Sequence, residues 1–307
     1  MTGMTKGSET TRDVAVVGLG QMGRGIARNL DRAGRLAAAW DIGEAARAGA
    51  GLSSTVALTP PNEFGDMKAV ILVVPGSAQI EEIMTGQGGL LERPHGGQVL
   101  IDLTTSHPAA TRALAALARA SGRQYVDCGM TGGAKGADAG TLTLMAGGAA
   151  EAVEACRPLL ASIASKVIYI GGAGTGHAMK LIHNMICHTI FLATSEGCLL
   201  AERLGIPLET AVAVLNAGNA RSFISEQRFP NHIVSGTFDG RSTVSNLAKD
   251  LKMAAEFAED AGLPGPYGAL AAEMLGHAME KGFGADDFTT LYRHLEELMS
   301  AGAKRTG

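Results

Sequence analysis

Short, almost unbroken apolar runs recur through the first half of the chain, most of them closed by glycine, proline or aspartate. DVAVVG (13–18), LAAAWD (36–41), AVILVVP (69–75), QVLIDLT (98–104), QYVDCG (124–129), LTLMAGG (142–148) and VIYIGG (167–172) read as strands, with STVAL (54–58) a shorter one. Helical patterns fill the intervals at RGIARNLDRAG (24–34), TRALAALARASG (111–122) and EAVEACRPLLASI (151–163). Strands that are apolar throughout, rather than alternating, need cover on both faces, and intervening helices supply it. The pattern predicts an α/β domain around a mostly parallel sheet.

Beyond Gly174 no convincing strand remains. The stretch HAMKLIHNMICHTIFLATSEGCLLAERLG extends as one helix from His177 to Gly205, where Gly205 and Pro207 stop it. LETAVAVLNAG, NLAKDLKMAAEFAEDAG, PYGALAAEMLGHAMEKG and FTTLYRHLEELMSA continue the helical periodicity. We therefore expect a loose tail over residues 1–11, an α/β domain over 12–173 and an all-helical domain over 174–307. No linker separates the two domains, so the long helix itself joins them, which favours a cleft at the junction.

Composition narrows the class. The chain has 307 residues, 46% hydrophobic and 18% charged, and 26 basic against 30 acidic residues give a formal net charge of -4. Without a basic tract, nucleic acid and anionic membranes are not expected partners. The opening MTGMTKGSETTRD lacks an apolar signal core, and no run of about 18 apolar residues offers a membrane span. Cys128, Cys156, Cys187 and Cys198 form no C-x-x-C pair, which fits a reducing cytoplasm.

The turn after the first strand carries chemistry. VAVVGLGQMGRGIARNL sets Gly18, Gly20 and Gly23 as G-x-G-x-x-G between a strand and a helix. In that context the glycines allow a tight turn, close approach of a pyrophosphate and close helix contact, around Leu19, Gln21 and Met22. The helix N-terminus offers its unpaired N–H groups to phosphate. Asp41 ends the second strand, where a carboxylate bonds both ribose hydroxyls and repels a 2′-phosphate, so NAD is favoured over NADP. Arg35 and Arg47 lie near enough in sequence to weaken that preference. The competing reading is a glycine-rich turn that merely packs tightly. Val74 and Pro75, at the end of another strand, either face the same crevice or simply stop the strand.

The segment GTGHAMKLIHNMICH (174–188) places Lys180, His183, Asn184, Cys187 and His188 on one helical face, opposite Leu181, Ile182, Met185, Ile186 and Ile190. An interior lysine costs several kcal/mol unless it is paired or its pKa moves. Such a lysine can take the proton of a substrate hydroxyl as a carbonyl forms, and return it in reverse. Asn184, one turn on, can hold either the ammonium or the substrate oxygen. The alternatives are a partly solvated face and a metal site built from His183, Cys187 and His188, for which no further ligand cluster is found. GGAGTGHAMK suggests a phosphate loop but lacks the Lys-Ser or Lys-Thr that such a loop requires.

Taken together, the chain resembles the β-hydroxyacid dehydrogenase family, which includes 3-hydroxyisobutyrate dehydrogenase and tartronate semialdehyde reductase. The resemblance rests on VVGLGQMGRGIARNL, on DLTTSHP (102–108) with DCGMTGGAKGADAGTLTLMAGG (127–148), on GTGHAMKLIHN (174–184) and on AKDLKMA (248–254), in that order along the chain. It implies an N-terminal Rossmann-type domain and an all-helical C-terminal domain, with Lys180 catalytic and Asn184 its partner. It further implies that Thr131, Gly132 and Gly133 bind a substrate carboxylate, as a hydroxyl and successive glycine N–H groups suit an anion. Thr105 matches a threonine between nicotinamide and substrate, and Lys249, beside Asp250, a lysine reaching toward the nicotinamide. As residues alone, Thr131 and Thr105 could be turn or cap residues, and Lys249–Asp250 a solvated pair.

Two departures bear on substrate. Thr131 stands where the family usually has serine, and Ser242, beside Arg241, where it often has a phenylalanine walling the pocket. A smaller, more polar wall favours a larger or more hydrophilic substrate than 3-hydroxyisobutyrate. The expected activity is NAD-dependent interconversion of a small β-hydroxy acid and its semialdehyde or keto acid, without a metal, in a homodimer or homotetramer. The alternatives are an NADP-dependent aldehyde or imine reductase of the same fold and a catalytically silent NAD-binding module.

Overall fold

The computed structural model describes residues 11–92, 95–263 and 265–303. The tail expected over 1–11 lies, apart from Thr11, outside the described residues. The chain divides into two compact units, one running to Lys180 and the other from Leu181.

In the first unit, strands form where the apolar runs predict them: β1 (Val14–Val17), β2 (Leu36–Trp40), β3 (Ala57–Leu58), β4 (Ala69–Leu72), β5 (Val99–Asp102), β6 (Gln124–Thr131), β7 (Leu142–Gly148) and β8 (Ala164–Gly171). Among the described residues they make one sheet in the order β3-β2-β1-β4-β5-β6-β7-β8. Its neighbours pair in parallel except β6 and β7, which are antiparallel. Helices α1 (Gln21–Arg32), α2 (Glu44–Ala48), α3 (Ser77–Thr85), α4 (Pro108–Ala120), α5 (Gly133–Ala139) and α6 (Ala150–Leu160) connect them. Of these, α2, α3 and α5 are too short to show helical periodicity in sequence.

Two cores, one on each face of the sheet, explain the continuous apolar strands. Val14, Val16 and Ile71 join Ile26 and Leu30 in one core. The alternate residues Ala15, Val17, Val70 and Leu72 join Ile80 and Leu100 in the other. The last strand departs from this rule. Ile168, Tyr169 and Ile170 of β8 are 36–41% exposed, because β8 is the sheet's edge and its side chains gain no cover from a neighbouring strand.

Helix α7 (Thr175–Arg203) crosses the division between the units, and Gly205 ends it in the left-handed region at φ 80°. The second unit continues with α8 (Leu208–Ala217), a π-helix over Ile224–Val234, α9 (Val244–Asp260), α10 (Pro266–Glu280) and α11 (Leu291–Ala303). Its core is aromatic at the centre: Phe191 lies 5.2 Å from Phe288, and Phe229 lies 5.6 Å from Tyr292, both edge to face.

The first turn of α7 rests on bare backbone. A Cβ on Gly176 would overlap the carbonyl oxygens of Asp127 and Met145, and one on Gly147 would sit 2.7 Å from the Gly176 nitrogen. We expect Gly176→Ala to destabilise the fold by about 1–3 kcal/mol in urea denaturation, the usual range for overpacking. Gly197→Ala, later in the same helix and open on its Cβ side, is expected to be neutral or to stabilise by up to about 1 kcal/mol.

Candidate active site

Because β1, β2, β4, β5 and β6 run parallel, their C-terminal ends share one edge of the sheet, the edge at which open α/β sheets bind ligands. Gly18 follows β1 at φ 96°, and any Cβ there would overlap the Val73 carbonyl at the end of β4. A Cβ on Gly23 would likewise overlap the Gly18 carbonyl, whereas Gly20 opens onto free space. Gly20 is the N-cap of α1 and no side chain caps it. Leu19, Gln21, Met22 and Gly23 thus form a turn whose leading N–H groups lack intrahelical partners. That is the cradle a dinucleotide pyrophosphate needs.

Asp41 braces this turn. Its Oδ2 accepts from the Leu19 N–H at 2.7 Å and its Oδ1 from the Gly43 N–H at 2.8 Å. Each oxygen keeps a further lone pair for a ribose hydroxyl. Arg47 donates to the Asp41 and Ile42 carbonyls and lies over Trp40 at 4.4 Å. Arg35 is remote from this edge, paired with Asp13 at the start of β1. The Val74 N–H reaches Thr104 Oγ1 at 3.4 Å, which joins the turn carrying Val74 and Pro75 to the one carrying Thr105.

Strand β6 builds the other half of the site. Asp127, Gly129 and Thr131 alternate onto the same face. The buried Asp127 carboxylate accepts from the N–H groups of Gly174 (2.8 Å) and His177 (3.0 Å) at the start of α7. A Cβ on Gly129 would lie 2.5 Å from Lys180 Cβ, so the lysine stem rests directly on that glycine. Thr131 follows two residues on, and Gly132 (φ 117°) and Gly133 (φ 60°) turn the chain into α5 with exposed backbone. His177 is held in turn, with Nδ1 2.8 Å from Thr111 Oγ1 and Nε2 3.3 Å from the Asp102 carbonyl. Tyr125 donates to Asp102 Oδ2 at 2.7 Å, and burial together with the Asp102 charge pushes its phenol well above the usual range.

The polar stripe on α7 is not a solvated face. Asn184 is buried and Lys180, His183, Cys187 and His188 are half-buried, whereas Ile182 and Ile186 are exposed. Lys180 is therefore half-buried rather than an interior residue. In the second unit Asn184 Nδ2 donates to Asp250 Oδ2 at 2.7 Å, and Asp250 Oδ1 lies 3.4 Å from Lys249 Nζ. Lys249–Asp250 is thus a bridge to Asn184 and not a solvated pair. Ser242 is half-buried, and its carbonyl accepts from the Phe288 N–H at 2.9 Å. Among the described residues no group of three or more His, Cys, Asp or Glu is placed to hold a metal ion. Nor is any described helix long and apolar enough to cross a membrane.

Comparison with known proteins agrees with this geometry. The family model described as the NAD binding domain of 6-phosphogluconate dehydrogenase matches residues 13–171. The one described as NAD-binding of NADP-dependent 3-hydroxyisobutyrate dehydrogenase matches 174–295. The 3-sulfolactaldehyde reductase of Escherichia coli is 31% identical, over 94% of this chain and 97% of that protein. The chain belongs to the β-hydroxyacid dehydrogenase family. Another member, the 2-(hydroxymethyl)glutarate dehydrogenase of Eubacterium barkeri, is 28% identical over the same shares of the two chains. The solved Mycobacterium tuberculosis 3-hydroxyisobutyrate dehydrogenase with L-serine superposes with a TM-score of 0.84 at 27% identity, covering 92% of this chain and 98% of that one. As in the rest of this dehydrogenase family, the activity is oxidoreduction of β-hydroxy acids, on a chain with NAD(P)-binding domains.

Sequence reasoning missed Asp127 and Asp250 as parts of the site. An aspartate inside the apolar strand QYVDCG was the available signal for the first; the second stands in AKDLKMA only as the neighbour of Lys249, with nothing local to mark its bond to Asn184. The cysteines separate by environment. Burial pushes the Cys156 and Cys198 thiols up to about 11 and Cys128 well above its usual value. At pH 8 these three stay protonated, while Cys187 is half-buried. Ellman's reagent is therefore expected to modify no more than one thiol per native chain at pH 8, and none in Cys187→Ser.

Proposed function

We propose that this chain is an NAD-dependent dehydrogenase that interconverts a small β-hydroxy acid and its semialdehyde or keto acid, with Lys180 as general acid and base. The observation carrying this reading is the seating of Lys180 on Gly129, on the same face of β6 as Thr131. A substrate carboxylate held by the Thr131 hydroxyl and the Gly132 and Gly133 N–H groups leaves its β-hydroxyl within reach of a lysine seated there. Bound NAD supplies the hydride acceptor for the oxidation. Lys180 Nζ takes the hydroxyl proton as the carbonyl forms, and in reduction its ammonium donates that proton to the developing alkoxide. Asn184, one turn further along α7, orients the amine.

The cofactor preference follows from Asp41, whose carboxylate suits two ribose hydroxyls and repels a 2′-phosphate. Arg47, engaged by two carbonyls and the Trp40 ring, supports the same choice. The exposed Ile186, Leu200, Leu204 and Val214 of the helical unit support a homodimer or homotetramer. The uncapped thiols support a cytoplasmic setting.

A panel of C3–C5 hydroxy acids and semialdehydes, assayed with NAD and NADP, tests the activity and the cofactor together. Lys180→Ala is expected to lower kcat by roughly 10²- to 10⁴-fold, the range for loss of a general acid–base group, with NAD affinity retained by fluorescence titration. Full turnover in that variant would overturn the assignment.

A further inference from the structure

Arg24 differs from the other arginines of the chain. Among the described residues, every other arginine that is buried or half-buried has an oxygen to pair with. Arg28, Arg47, Arg123 and Arg228 reach main-chain carbonyls, and Arg35 and Arg157 reach acids. Arg24 is half-buried too, yet among those residues its side chain makes no hydrogen bond and no ion pair, and its Nε is buried. A buried donor left without an acceptor is costly.

Its place in the helix adds to that cost. Arg24 is the fourth residue of α1, at the positive end of the helix dipole, and no acidic residue in the first turn offsets it. The later arginines of α1 are satisfied. Arg28 donates to the carbonyls of Ala50 (2.6 Å) and Gly49 (3.3 Å), and Arg32 to Asn29 Oδ1 (2.6 Å) and the Asp138 carbonyl (3.3 Å). Asp41, the acid of the glycine turn, is committed to the Leu19 and Gly43 N–H groups. A cation that its own fold leaves unneutralised, beside N–H groups that also lack partners, marks a place for an anion.

Helix geometry indicates which part of the anion it meets. Gly20, Arg24 and Arg28 are four residues apart and share one face of α1. Helical side chains lean toward the N-terminus, and Gly20 lies roughly 6 Å back along the axis, within the length of an arginine side chain. A Cβ on Gly20 would meet nothing within 4 Å, so the space at that end is open. Gly20 is the glycine at which the diphosphate of a dinucleotide approaches the backbone. Each of its phosphates carries a negative charge, against about half a positive charge at a helix end.

We propose that Arg24 is a cofactor-binding residue whose guanidinium pairs with the diphosphate of the dinucleotide, supplying charge that the helix end lacks. Asp41, which repels a phosphate at the ribose hydroxyls, keeps the contact on the diphosphate. This role needs the dinucleotide site alone and does not depend on the reaction proposed at Lys180.

The test is calorimetric titration of the full chain with NAD, with NADP, with ADP-ribose, which keeps the diphosphate, and with adenosine, which has none. Arg24→Gln is expected to weaken NAD and ADP-ribose roughly 10- to 100-fold, as loss of a charge-assisted hydrogen bond predicts, and to leave adenosine unchanged. The loss is expected to shrink as sodium chloride is raised, and Arg24→Lys, which keeps the charge, to recover part of it. Without ligand, Arg24→Gln is expected to melt no lower than wild type, because the cation it removes has no partner and opposes the helix dipole. A merely structural arginine would lower that melting temperature and weaken adenosine with the rest. That outcome overturns the proposal, as does unchanged binding of NAD and ADP-ribose. So does a loss confined to NADP, which would put the guanidinium on a 2′-phosphate.

Discussion

The site depends on one contact, that of the first turn of α7 with the bare backbone of β6 and β7. Asp127 is fully buried, and an unpaired carboxylate there would be costly. It is tolerated because its two oxygens accept from the Gly174 and His177 N–H groups, where the helix carries its positive end. The sheet meets that turn with Gly129 and Gly147, and the helix with Gly176. Any side chain at these positions would lift the helix off the strand. Lys180 lies one turn beyond Gly176, so the same contact fixes how close its stem comes to β6. The placement of a charged side chain is thus set by three residues that have none.

A second network makes this placement rigid. His177, Thr111, Asp102 and Tyr125 are all buried, and their polar groups meet one another at hydrogen-bond distances. Buried polar networks are expensive when broken and therefore hold one geometry. This one ties α4 and the ends of β5 and β6 to the first turn of α7. In the proposed reaction, the Thr131–Gly133 turn and the lysine on α7 then need no ordering of their own, so the orientation of the proposed reacting groups is supplied before substrate arrives.

Much of this was legible in the sequence because its signals are local. The glycine turn, Asp41 and the strands announce themselves within a few residues, and the α7 stripe within a few helical turns. What the sequence hid depends on residues far apart in the chain. The fit of Asp127 to Gly147 needs the antiparallel register of β6 and β7, and an apolar run does not disclose strand direction. The exposure of β8 follows from its place at the sheet edge, which its composition does not reveal. ISEQRFPNHIV (224–234) has no 3.6-residue period and contains Pro230, so its π-helix left no pattern to read. Asp250 meets Asn184 across 66 residues.

That long-range bond also changes what Asn184 can offer. Read from sequence, its amide could have turned either end toward the chemistry. With Nδ2 donating to Asp250, the flip is set and Oδ1 faces the other way, 3.2 Å from His183 Nδ1. An acceptor in that position suits a protonated amine or a hydroxyl and is unsuited to an alkoxide. Lys249 on the far side of Asp250 balances the carboxylate charge, so the amide is polarised without a net negative charge beside it. In the reaction proposed above, Asn184 therefore serves Lys180 in its ammonium form, the proton donor of the reductive direction. The oxyanion of that proposed step is left to the cation itself.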